Sequence, residues 1–233
     1  MNCMTKFFLV EHLVFVGGAT KRVISEMKET DNFFQRYFEI VYEEFFSSVE
    51  YSHWKGVMVE LGSIISTFGW QFNNVIIILL TSTLAERFRQ IARKIKTKHH
   101  YTLRWDELIH HYNQLSLLCN TVNSTISDMV LLSFIGNIYF MSESILQSFT
   151  PKTSYETFYF WYDILFHILH LALVCTYAAW IDEESKSPLS DLLAVPLYNS
   201  QFEVDRFILQ VAENSPAIYV GGMFKITGST VLH

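Results

Sequence analysis

Three apolar stretches, residues 56–85, 129–149 and 158–181, are each long enough to cross a ~30 Å hydrocarbon core, which takes about 20 helical residues. Polar loops separate them. A water-soluble domain has little use for three such runs, because its helices are shorter and interleave polar positions. The chain is therefore expected to be all-α, a polytopic transmembrane bundle. Its charge supports this: 17% of residues are charged, against ~25% in ordinary soluble domains.

The loops orient the spans. Arg87, Arg89, Arg93, Lys94, Lys96, Lys98 and Arg104 crowd the segment after the first span, whereas residues 150–157 carry only Lys152. Lys and Arg gather on the cytoplasmic side. Residues 20–55 are then extracellular, 86–128 cytoplasmic, 150–157 extracellular and 182–233 cytoplasmic. Trp54, Trp161 and Trp180 fall at span edges, as an interfacial belt requires. The sequon at Asn123 faces the cytoplasm on this topology, so it is expected to carry no glycan. The whole chain reads as one integral-membrane domain in contact with lipid. No secretory leader is expected at its start.

Outside the spans the patterning continues. Residues 7–19 are apolar but are interrupted by Glu11 and His12, and they read as part of another membrane helix. Aromatic pairs at Phe33/Phe34, Tyr37/Phe38, Val41/Tyr42 and Phe45/Phe46 predict one amphipathic helix, packed on the bundle or lying on lipid. Leu108, Tyr112, Leu115, Cys119, Val122 and Ile126 step by four and three, a heptad seam running into the second span. One helix of residues 103–149 is expected, with the basic extension of the first span as partner. The weak helix formers of 120–128 are where it could break. Pro188 ends the third helix, a short amphipathic helix follows around Phe202–Val211, and Gly221-Gly222 marks a turn.

Little in the chain points to catalysis. No nucleophile elbow, zinc-protease helix or phosphate-cradling glycine loop is present. No basic aromatic surface suggests nucleic acid, three scattered cysteines imply no disulfide framework, and no cofactor is expected. His99-His100 and His110-His111 read as a solvated face. Asp163, His167 and His170 at i, i+4 and i+7 share one face of the third span. With Glu143, they leave open an alternative: an intramembrane metal- or proton-handling enzyme or transporter. The other intramembrane polar and aromatic groups suit a pocket for a small hydroxylated ligand. Trp70, Tyr139, Trp161 and Tyr162 supply stacking faces, while Asn74, Glu143 and Asp163 supply acceptors.

Several motifs occur in an order that resembles insect gustatory receptors, the sugar-receptor branch in particular. They are Glu11-His12, Phe68-Gly69-Trp70, Leu84-Ala85-Glu86-Arg87-Phe88-Arg89-Gln90, Leu131-Leu132-Ser133-Phe134 and Asn137-Ile138-Tyr139-Phe140. Tyr159-Phe160-Trp161-Tyr162, Glu184-Ser185-Lys186-Ser187-Pro188-Leu189 and Glu203-Val204-Asp205-Arg206-Phe207 complete them. The resemblance implies a seven-helix subunit of a homo- or heterotetrameric, sugar-gated cation channel, with the pocket in the outer half of each bundle and the final helix lining the pore. It also implies a place in the plasma membrane of taste neurons, in their dendrites and cell bodies. On it, the three spans are helices four to six, and residues 7–19 end helix three. The chain is then expected to be a fragment unable to conduct alone. Two departures stand out: Gly228 where an arginine is common, and Asn74 where an acid is frequent.

Overall fold

The computed structural model describes residues 16–21, 23–24, 32–97, 104–147, 154–194 and 202–228. Within them the chain is mostly helical, with one small hairpin. Three of its helices are long and apolar enough to cross a membrane. The expected loop of 150–157 and the start of the 7–19 segment, with Glu11 and His12, lie largely outside the described residues, as do His99 and His100.

The chain divides into two compact units, one of residues up to 72 together with 140–166, the other of 73–139 and 167 onward. In the first, α1 (Phe33–Val41) is capped by the Asn32 side chain, which accepts from the Phe34 N–H at 3.2 Å. The single amphipathic helix expected here is broken: Tyr42 leaves helical geometry at φ −120°, ψ 45°, and α2 is only Glu43–Phe46. A stripe repeating every four residues drifts around a 3.6-residue helix, so one straight rod cannot bury every aromatic pair. The break holds Tyr37 and Phe38 in the core, while Phe45 stays exposed. Tyr42 donates its hydroxyl to Glu60 at 3.0 Å, and Phe38 lies against Gly56, where a Cβ would come within 2.6 Å of its ring.

The long helices are α3 (His53–Thr97), α4 (Trp105–Gln147) and α5 (Ser154–Lys186). At ~1.5 Å per residue, the 45 residues of α3 extend about 68 Å, well beyond a bilayer core. α4 runs unbroken through 120–128. There Thr121 and Thr125 return their hydroxyls to carbonyls four residues back and Ser124 to one three back, so their hydrogen bonding is absorbed inside the helix. Pro188 occupies the first turn of α6 (Pro188–Leu193), where its missing N–H costs nothing. Then come α7 (Phe202–Glu213) and strands β1 (Tyr219–Val220) and β2 (Phe224–Lys225), antiparallel with Tyr219 opposite Lys225.

The second unit owns the larger core. The heptad seam is buried at Leu108, Tyr112, Cys119 and Ile126, and Leu115 and Val122 pack beside it. Its expected partner, the basic extension of α3, contributes Phe88, Ile91 and Ile95. A second partner emerges as well. Tyr112 meets Phe88 edge-on at 5.5 Å and Phe207 of α7 edge-on at 5.1 Å. A buried seam of this kind supports α4 where its own propensity is weak.

Candidate ligand-binding site

The candidate residues fall on both units, and each unit has its own polar arrangement. In the first, Trp70 of α3 is half-buried and meets Phe140 edge-on at 6.0 Å. Its Nε1–H is buried without a hydrogen-bond partner. Asp163 of α5 accepts a short hydrogen bond from Ser144 of α4. Glu143 lies on the exposed side of α4, Tyr162 packs beside Phe166 at 6.2 Å, and Trp161 is 63% exposed with its ring against Phe160.

In the second unit, Asn74, Ser133, Asn137 and His167 form a continuous buried chain across α3, α4 and α5. Ser133 donates its hydroxyl to Asn74 Oδ1 at 2.7 Å. The Asn137 amide donates to the Ser133 carbonyl at 2.7 Å, and Asn137 Oδ1 stands 3.0 Å from His167 Nδ1. An amide oxygen only accepts, so this pair requires His167 to carry its proton on Nδ1. All four residues are buried, and buried polar chains of this kind specify how apolar helices meet. Asn74 thus has its oxygen engaged, while its Nδ2 is buried without a partner. Tyr139 is 62% exposed.

The metal group left open at Asp163, His167 and His170 is not assembled. Asp163 is bonded to Ser144, and His167 is bonded to Asn137. A shared helix face brings side chains into line, but facing helices decide which partner each one meets. Among the described residues, no three His, Cys, Asp or Glu side chains are grouped to hold a metal ion. Asn137 was visible only as part of a motif. Its signal was the Ser133–Asn137 spacing of four, which places two small polar groups on one face of an apolar span.

Comparison with known proteins completes the picture. The model of a family described as trehalose receptor matches residues 1–233. The chain is 31% identical over 189 residues to the gustatory receptor for sugar taste 64a of Drosophila melanogaster, covering 79% of this chain and 41% of that protein. It is 25% identical over 190 residues to gustatory receptor 5a for trehalose of the same organism, covering 79% of this chain and 42% of that one. Identity to the gustatory receptor for sugar taste 64b is 27% over 236 residues, 96% of this chain and 57% of the relative. The chain spans about half the length of the curated relatives it matches.

Proposed function

Because the chain belongs to the trehalose receptor family over residues 1–233, we propose that it is part of a sugar-gated cation channel subunit serving sweet taste. The observation that carries this reading is the match along the entire chain, together with three membrane-capable helices. The family is one of multi-pass membrane receptors and not of enzymes, which leaves the metal- or proton-handling alternative without support.

In this reading the basic end of α3 is cytoplasmic and subunits assemble as tetramers in the plasma membrane of taste neurons. Sugar is recognised by aromatic faces and a few polar groups, the usual chemistry for a polyhydroxylated ligand. Trp70 offers an aromatic face and an unused Nε1–H donor, and Asp163 offers a carboxylate already oriented by Ser144. Glu143, Trp161 and Tyr162 complete that group. Asn74, in the other unit, is a separate candidate: its oxygen is held by Ser133, which leaves Nδ2 as the donor it could offer. Sugar favours the open channel to the extent that it binds that state more tightly than the closed one.

The test is to express the full-length receptor and record sugar-evoked cation current. Asp163→Ala and Glu143→Ala should each raise the half-maximal sugar concentration about ten-fold at unchanged surface expression. Unaltered dose-response curves would remove these residues from the pocket, and a full-length receptor silent to every sugar would remove the function.

A further inference from the structure

At its C-terminal end α5 carries a buried carboxylate that serves more than its own helix. Asp182 is 4% exposed. Oδ2 pairs with Lys186 one turn on, at 2.8 Å. Oδ1 pairs with Lys225 of β2 at 2.6 Å and accepts from the Ser215 hydroxyl at 3.3 Å. The two ammonium groups differ in setting: the Lys225 side chain is 28% exposed and that of Lys186 41%. Exposed pairs contribute little, and shielded ones are costly to break because a buried charge is left behind. Lys186 lies on the same helix as Asp182, whereas Lys225 is the partner that joins the carboxylate to the hairpin.

Further contacts fasten the same segment. Ser185 donates to the Pro216 carbonyl at 3.3 Å. The Tyr219 N–H reaches Asn123 Oδ1 at 2.8 Å, and the Gly221 N–H reaches the Ser127 carbonyl at 3.0 Å, both on α4. The approach is close enough that a Cβ on Gly221 would stand 2.7 Å from Leu131, and one on Gly228 would collide with the Glu183 carboxylate. The hairpin, two residues per strand, is too short to be stable alone and depends on these attachments.

We propose that Asp182 is a positioning residue that, through Lys225, locks residues 215–228 to the end of α5, so that movement of the ligand-bearing helix and of this segment occur together. The effect on signalling rests on the sugar-gated channel reading; the lock itself does not. In the full-length receptor, Lys225→Gln and Asp182→Asn should each raise the half-maximal sugar concentration about ten-fold, within the usual range of coupling between sites. The double variant should be no worse than either single one. Lys186→Gln, which removes a charge from the same carboxylate without touching the hairpin, should shift the curve less than about three-fold.

A wild-type response in Lys225→Gln, or equal damage from Lys186→Gln, overturns the proposal. Should Lys225→Gln fail to reach the surface, Asn123→Ala removes a different attachment and must shift the response in the same direction. Hydrogen exchange on the purified full-length protein separates the two ideas. Faster exchange at 219–226 in Lys225→Gln than in Lys186→Gln supports the lock even in a receptor silent to sugar; equal exchange refutes it whatever the currents show.

Discussion

Alanine at Gly221 and alanine at Gly222 pose the same backbone problem but different packing problems, and the difference measures how tightly the hairpin is seated. Both glycines are left-handed, at φ +54° and +70°. A Cβ in that region costs about 1–2 kcal/mol. At Gly222 a Cβ meets nothing within 4 Å, so the backbone term stands alone. At Gly221 it would lie 2.7 Å from Leu131 Cδ2, and forcing a group into such a contact adds about 1–3 kcal/mol. Gly221→Ala should then cost about 2–5 kcal/mol in all. The readout is hydrogen exchange at the Ile226 N–H, which donates to the Ile218 carbonyl at 2.9 Å inside the hairpin. At about 1.4 kcal/mol per factor of ten, Gly222→Ala should speed exchange roughly 5–30-fold and Gly221→Ala more than about 30-fold. Adding Leu131→Ala to Gly221→Ala should bring the rate back toward that of Gly222→Ala, since only the contact term is relieved. Equal effects of the two alanines, or no rescue, would refute the seating of the hairpin on α4.

Tyr112→Phe keeps the ring between Phe88 and Phe207 and loses only the hydroxyl that donates to the Ser185 carbonyl at 3.2 Å. It should cost about 1 kcal/mol in thermal stability, and Tyr112→Ala about 3–5 kcal/mol through the cavity it leaves; similar losses from both would contradict a packed ring. Burial raises the pKa of Asp182, but Lys186 and Lys225 outweigh it and hold the carboxyl below its ordinary value. A carboxylate depressed on folding stabilises above its unfolded pKa, near 3.9, and loses that contribution as pH falls through the folded value. The protection factors at 219–226, which remove the intrinsic pH dependence of amide exchange, should therefore fall below about pH 4 in the wild type and lose that acid step in Asp182→Asn. A step of equal size in Asp182→Asn would assign it to another group.

Much of the architecture is local and was legible from spacing. Apolar length marked the three membrane-capable helices, the four-three steps from Leu108 to Ile126 marked the buried seam, and Pro188 and Gly221-Gly222 marked a helix end and a turn. Each is a property of one segment and its own period. The aromatic pairs of 33–46 predict one helical face, but a four-residue repeat drifts around a 3.6-residue helix, and the drift is resolved by a break at Tyr42.

What spacing cannot reach is the rotation and register of one helix against another. Asp163 and His167 share a helix face, and spacing alone did not reveal that Ser144 would bond the first and Asn137 the second. Asp182 and Lys225 lie far apart in sequence and carry no shared motif; only the fold of 215–228 onto the end of α5 brings them to 2.6 Å. The sequence by itself determined an all-α chain with three membrane-capable helices, since hydropathy and periodicity act within a segment. The tertiary structure alone decided which polar side chains are joined, because a hydrogen bond or buried ion pair forms only where two segments come within about 3 Å.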